Sequence, residues 1–209
     1  MPIEKISERT IQRLILYRKI LNTMKDEGIK NVFSHQLYLM AASSSAQVRR
    51  DLMSVGYQGT PVHGYTITDL IDSISQFLNP TRKQFAVLVG MGNLGRAILD
   101  YTRNRNANLE VIGAFDNNKT KINRIIEGCR CYDVKDLEKI IKEKKAEIAI
   151  IAIPPHDVQK ICERLVSAGI KGILNYSTTT LKLPSKVFIE NRDMMLALEK
   201  VAYYAATNS

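Results

Sequence analysis

Between Phe85 and Gly95 the chain reads FAVLVGMGNLG, and this stretch limits the fold more than any other. An apolar, partly β-branched run enters Gly90-Met91-Gly92-Asn93-Leu94-Gly95, and an apolar-periodic segment from Arg96 to Tyr101 follows. The pattern predicts a strand, a tight glycine turn and a helix, with glycines at the G-x-G-x-x-G offsets. Those offsets have separate physical roles. The first glycine permits the sharp turn, and the second lets backbone approach a pyrophosphate. The third brings the helix close to the strand, so that its N-terminal N–H groups and dipole face the anion. Leu109–Phe115 (LEVIGAF) reads as the next strand and ends at Asp116, 21 residues after Gly95. A carboxylate there accepts from a ribose 2′-hydroxyl and repels a 2′-phosphate, which favours NAD over NADP.

The rest of the second half keeps the same rhythm. Lys119–Ile126 is expected as a short helix, and Cys129–Tyr132 as a short extended piece. Asp133 is placed to cap a helix over Val134–Lys145. Glu147–Ile153 (EIAIIAI) is a near-continuous apolar run, suited to a strand buried on both faces. Pro154 starts a helix to Ala168 that Gly169 stops. Lys171–Tyr176 and Val187–Glu190 read as strands, and Asp193–Ala206 as a last amphipathic helix. Strands alternating with helices predict an α/β fold with a parallel, doubly wound sheet.

The first eighty residues follow another pattern. Ile11, Leu14, Ile15, Leu21 and Met24 recur at helical spacing, with Ser7 as cap and Gly28 as stop. After an extended piece, Ser34 is expected to cap a helix over His35–Ala42. Ser43 or Ser44 caps another that runs to Val55. Two short helices with a brief polar joint form a helix-turn-helix arrangement. On the second of them Val48, Leu52 and Val55 share an inward face. Ser43, Ser44, Ser45, Gln47, Arg49 and Arg50 supply the chemistry for base edges and phosphates of double-stranded DNA. Gly56–Ile67 carries three glycines and a proline between β-prone pieces and predicts a two-stranded wing, with Tyr57 and His63 as further DNA-contact candidates. Thr68 is expected to cap a helix over Asp69–Leu78. Pro80 and the polar residues after it mark the boundary, giving a winged-helix domain over 1–80, a Rossmann domain over 81–190 and a C-terminal helix over 191–209.

Charge does not by itself place the DNA-binding half. The net charge is +9, but residues 1–80 hold nine Lys/Arg against seven Asp/Glu, so the excess lies mostly in the second half. No apolar run is long enough to span a bilayer, and no secretory signal is visible, so a cytoplasmic protein without a membrane partner is expected. Three cysteines, two of them only two residues apart, make no disulfide framework. No zinc site is expected either, since no further ligand lies at metal spacing. His156-Asp157 are adjacent at a helix start, where neighbours seldom face each other, and no catalytic pair is assigned.

With these motifs placed, the chain resembles the Rex family of redox-sensing transcriptional repressors, from about Ser7 to Tyr204. The stretches that carry the resemblance are Ser44–Leu52 (SSAQVRRDL), Gly90–Gly95, Ile151–Pro154 (IAIP), Gly169–Tyr176 (GIKGILNY) and Asn191-Arg192-Asp193. The resemblance implies a homodimer that binds an inverted-repeat operator through winged helices and is released by NADH, whereas NAD+ binds without releasing it effectively. It implies that the pyrophosphate lies on Gly90–Gly95 and the adenosine ribose on Asp116. Ile153, Pro154, Asn175 and Tyr176 would line the cofactor crevice. Tyr101, which alone reads as core packing, matches a redox-responsive tyrosine near the nicotinamide. Asp193 matches an acid at the start of a helix swapped across the dimer, and Lys19 stands where some members carry its arginine partner. The wing departs from the family pattern: its two basic positions are Thr60 and Pro61 here, which predicts a flatter salt dependence. The competing reading is a small NAD-dependent oxidoreductase. Only about 25 residues follow the Rossmann-like portion, too few for a substrate domain, so no small-molecule substrate is expected.

Overall fold

The structure, a computed structural model, describes residues 6–41, 43–60, 63–79, 82–103 and 108–207. It divides into two compact units, Met1–Thr81 and Arg82–Ser209. The expected boundary residue Pro80 and the wing residues Pro61 and Val62 lie outside the described residues.

The first unit is built on α1 (Glu8–Asp26). The Ser7 hydroxyl accepts the Thr10 N–H at 3.2 Å and so satisfies one of the free donors of the first turn. Leu14, Tyr17, Leu21 and Met24 form its buried stripe, one contact face at helical spacing. They pack with Leu37 of α2 (Ser34–Met40), Val48 and Leu52 of α3 (Ser45–Ser54), and Ile67, Leu70 and Ile74 of α4 (Ile67–Leu78). Truncating a leucine as fully buried as Leu14 or Leu21 costs about 2–5 kcal/mol.

Two caps differ from expectation. Ser34 does not cap α2: it is the first helical residue, and the Phe33 N–H donates to the Gln36 side-chain oxygen at 2.8 Å. Helix α4 starts at Ile67, and Thr68 lies inside it with its hydroxyl toward Asp69. The wing also differs. Strand β2 (Tyr65–Thr66) pairs not with the preceding wing residues but with β1 (Asn31–Val32), antiparallel. The loop before it closes through reciprocal backbone bonds of 2.8 Å between Thr60 and Gly64.

The second unit carries a seven-stranded sheet in the order β5-β6-β4-β3-β7-β8-β9. The strands are β3 (Gln84–Val89), β4 (Leu109–Asp116), β5 (Ile125–Ile126), β6 (Cys129–Asp133), β7 (Ile148–Ile151), β8 (Gly172–Asn175) and β9 (Phe188–Asn191). Every neighbouring pair is parallel except β5 and β6. The six parallel strands, counted along the chain, therefore lie in the order 3-2-1-4-5-6 of a doubly wound dinucleotide-binding fold. Val87 and Val89 face a layer formed with α6 (Leu137–Lys144) and α7 (Val158–Ala168). Leu88 faces the other way, onto Ile98 and Leu99 of α5 (Asn93–Thr102). A period of two explains why this strand is apolar at successive positions.

The helix expected over Lys119–Ile126 does not form. Asn118 turns the chain by accepting the Thr120 N–H at 2.9 Å, and Asn123 takes a φ of 64° that no helix continues. The segment ends as β5, the antiparallel partner of β6. Two other helices start later than expected. Val134–Asp136 and Pro155–Asp157 are single 3-10 turns, and α6 and α7 begin after them.

Candidate nucleotide crevice and DNA-contact face

The parallel order reverses at β3, whose two neighbours are β4 and β7. Ligands of open α/β sheets bind outside the carboxyl ends of the strands at such a point. A crevice of about 490 Å³ lies there, lined among others by Gly90, Gly92, Asp116, Asn118, Lys121, Ile153 and Pro154.

The three glycines of its floor separate cleanly by what a side chain would meet. Gly90 has a φ of 102°, and a Cβ on it would lie 2.3 Å from the Ala152 carbonyl oxygen. A Cβ on Gly95 would lie 1.9 Å from the Gly90 oxygen, so the close approach of α5 to the turn requires glycine. Around Gly92 nothing lies within 4 Å. Its missing side chain serves no packing need within the chain and leaves the backbone open to the crevice. Helix α5 starts directly after Gly92 with no side-chain cap, and such a terminus attracts an anion through its dipole and free N–H groups. A dinucleotide pyrophosphate fits this donor set.

Asp116, the last residue of β4, is nearly buried. One carboxylate oxygen accepts the Met91 N–H at 2.9 Å and lies 3.1 Å from the Lys121 ammonium; the other accepts the Asn118 N–H at 2.8 Å. Burial opposes its ionisation, but the two backbone donors and Lys121 outweigh burial and hold its pKa below the usual carboxylate value. Asp116 thus ties the end of β4 to the glycine turn as a fixed negative charge.

Met91, between the first two glycines, is buried, while Asn93 is exposed and Leu94 half-buried on the first turn of α5. Ile153 and Pro154 lie on the crevice wall. Asn175 is fully buried: its amide donates to the Thr179 carbonyl and the Asn191 side chain, and its oxygen accepts from the Ser177 N–H and hydroxyl. Tyr176 is half-buried against the α5 layer. Tyr101 is not core packing, since it is 64% exposed in the last turn of α5. Asp193 immediately precedes α8 (Met194–Thr207), and its carboxylate accepts the Met195 N–H at 2.8 Å. Along α8 Met194, Leu196, Leu198, Val201, Tyr203 and Tyr204 are all exposed. Contrary to expectation, the exposed side chains of His156 and Asp157 do meet, at 3.1 Å, in the 3-10 turn that precedes α7.

Lys121, Lys160 and Arg164 also line the crevice and were not singled out from the sequence. Arg164 is committed to Glu138, in bonds of 2.6 and 2.7 Å, and to the Val134 carbonyl. The signal that could have found Lys121 and Lys160 is position: each follows a strand whose carboxyl end faces the switch point.

In the first unit α3 carries the DNA-contact candidates. Its N-terminus is capped by Ser44, whose hydroxyl accepts the Gln47 N–H at 3.2 Å. Val48 and Leu52 are fully buried, while Arg49 and Arg50 are exposed. Arg49 lies 3.4 Å from the Ser34 hydroxyl. Ser43, Ser45 and Gln47 are half-buried at the edge of this face. Tyr57 packs its ring at 6.1 Å from Tyr65, and the exposed His63 has its backbone tied to Thr60 and Asn31. Among the described residues no group of His, Cys, Asp and Glu is arranged to hold a metal. No helix there is long and apolar enough to cross a membrane.

A winged helix-turn-helix joined to a doubly wound dinucleotide fold defines a class: transcription regulators with a nucleotide-sensing domain. Residues 5–52 match the family "Putative DNA-binding protein N-terminus", and residues 81–179 match "CoA binding domain". The chain is 37% identical over 199 residues to the redox-sensing transcriptional repressor Rex of Carboxydothermus hydrogenoformans, covering 95% of this chain and 96% of the other. It is also similar to RSP, a Rex-family repressor. RSP in complex with NAD+ and operator DNA aligns with a TM-score of 0.89 at 30% identity, over 97% of this chain and 94% of that one. RSP with NADH aligns at 0.87 and 29% identity, over 98% and 96%. The chain belongs to the Rex family of redox-sensing transcriptional repressors.

Proposed function

We propose that this protein is a homodimeric, cytoplasmic repressor that binds an inverted-repeat operator and leaves it when NADH enters the crevice. The observation that carries the nucleotide half is the contrast among the glycines: packing and backbone conformation require Gly90 and Gly95, whereas nothing in the chain lies within 4 Å of a Cβ on Gly92, beside the crevice. Gly90–Gly95 and the start of α5 would hold the pyrophosphate, and Asp116 the adenosine ribose. Ile153 and Pro154, on the crevice wall, would line the path toward the nicotinamide. Tyr101 and the second subunit's counterpart of Asp193 are proposed to complete that end in the dimer, with the exposed apolar face of α8 as the swapped element. Residues 1–80, 81–190 and 191–209 would then serve DNA, nucleotide and dimer contacts respectively.

The protein is a regulator rather than an enzyme, in keeping with relatives that are named as transcriptional repressors. Gating needs no chemistry. Operator spacing fixes the distance between the two recognition helices of a dimer. A dimer form with a different spacing that binds NADH better loses DNA affinity by the ratio of the two NADH affinities. Operator selection on random duplexes, repeated with NADH and with NAD+, tests the proposal. Recovery of an inverted repeat that NADH releases and NAD+ spares is the expected result. Steady NADH oxidation on small carbonyl substrates, with no duplex recovered, would instead establish the oxidoreductase.

A further inference from the structure

The polar side chains of α3 are organised around one buried carboxylate. Asp51 is 2% exposed and accepts from Arg13 Nε at 2.6 Å, Arg13 Nη2 at 2.8 Å and the Tyr17 hydroxyl at 3.0 Å. Both partners stand on α1. A fourth donor comes from α3 itself: the Gln47 amide nitrogen, at 2.8 Å. That bond orients the amide, and the Gln47 oxygen on its other side accepts from Arg50 Nη2 at 2.9 Å. A chain of contacts thus runs from Arg13 on α1 through Asp51 and Gln47 to the exposed guanidinium of Arg50.

A glutamine that reads adenine uses its NH2 and its carbonyl together, as a bidentate pair. Here both ends are engaged inside the domain, whereas Arg50 keeps further N–H donors in the planar fork suited to guanine or phosphate. Residues three apart on a helix share a face, so Gln47 braces Arg50 without reaching past it. We infer that Gln47 is a positioning residue: with Asp51 behind it, it holds Arg50 in one orientation, and Arg50 makes the contact with DNA. An arginine ordered before binding loses less side-chain freedom on contact. This inference rests on the DNA-binding reading and names which side chain does the reading.

A double-mutant cycle on the full-length protein tests it, using an operator duplex selected by the wild type. Arg50→Ala should weaken operator binding by about 5- to 150-fold. Gln47→Ala should weaken it by about 2- to 10-fold, the range of one lost hydrogen bond. The double variant should bind within about twofold of Arg50→Ala, because Gln47 has nothing left to position. Any base preference that Gln47→Ala loses should be one that Arg50→Ala also loses. Losses that multiply, or a base pair relaxed by Gln47→Ala alone, would overturn the inference. Thermal melts check folding, and Gln47→Met, which keeps the stem, replaces the alanine variant should that unfold. A wild type that shifts no duplex defeats the DNA-binding reading itself; multiplying losses on a wild type that binds defeat this inference alone.

Discussion

Substituting Gly92 and Gly95 by alanine, one at a time, should separate nucleotide binding from stability within one hexapeptide. At Gly95 the new Cβ would meet the Gly90 oxygen at 1.9 Å, far inside any contact distance, with backbone on both sides of the clash. Helix α5 must move off β3 to relieve it, which disturbs the packing of Ile98 and Leu99 on Leu88. Overpacking of this kind costs about 1–3 kcal/mol or more, which lowers the melting temperature of a domain this size by roughly 3–12 °C. At Gly92 the Cβ meets nothing within 4 Å and the φ is −76°, so alanine folds there without strain. Its effect on unliganded stability should stay within about 1 kcal/mol. The methyl group would, however, occupy the space through which a pyrophosphate reaches the first-turn N–H groups. Losing one or two such charge-assisted bonds, at about 1.5–3 kcal/mol each, weakens NADH by roughly 10- to 100-fold or more. Differential scanning fluorimetry without ligand and titration by NADH fluorescence read the two quantities separately. Wild-type NADH affinity in Gly92→Ala would refute the assignment of the turn, as would an equal loss of stability in both variants.

Asp116→Ala should weaken NADH binding, by about 10- to 100-fold for a lost hydrogen bond to a charged group, yet leave operator binding of the NADH-free protein intact, as a gel shift with and without NADH would reveal. Loss of both activities would point to misfolding through the broken Met91 tie. Asp51→Asn should destabilise the N-terminal unit by about 2–3 kcal/mol, below the usual cost of breaking a buried pair because Arg13 is 24% exposed and partly hydrated. Chemical denaturation reads that loss directly. Asp51 and Asp116 are both held below the ordinary carboxylate pKa: burial opposes ionisation in each, and hydrogen-bond donors outweigh it. Their unfolded forms bind protons more readily, so the stability they contribute is complete above about pH 4–5 and is lost as pH falls through their folded pKa values. Melts from pH 3 to 7 should show this acid loss, and Asp51→Asn should flatten its share of the slope. Finally, Arg49→Ala should weaken binding to all duplexes alike and reduce the salt slope by about one unit if it neutralises a single phosphate.

The Rossmann half was legible in the sequence because each of its signals is local. A buried strand, a glycine turn and a carboxylate at a fixed offset all lie within Phe85–Asp116, and the fold places them as read. The hidden part was settled by turns, strand pairings and polar contacts that hydrophobic periodicity does not reveal. Lys119–Ile126 has a helix-like pattern, but the Asn118 turn and the pairing of β5 with β6 override it. Strand β2 took β1 as partner because the fold brings together two short segments more than thirty residues apart. The carboxylate hub at Asp51 was equally invisible. Its partners Arg13 and Tyr17 lie 38 and 34 residues away, and nothing in their local pattern marks them as a pair. Net charge was a poor guide as well: the candidate DNA-contact face depends on where the exposed Arg49 and Arg50 stand on α3, not on a net excess.

NADH and operator should oppose each other through one dimer, and linkage makes that opposition directly measurable. NADH affinity should be determined for the free protein and for the protein saturated with its selected operator. NADH should bind more weakly on the operator, by the same factor that saturating NADH weakens operator binding, with NAD+ showing a much smaller factor. Equal NADH affinities with and without operator would contradict it.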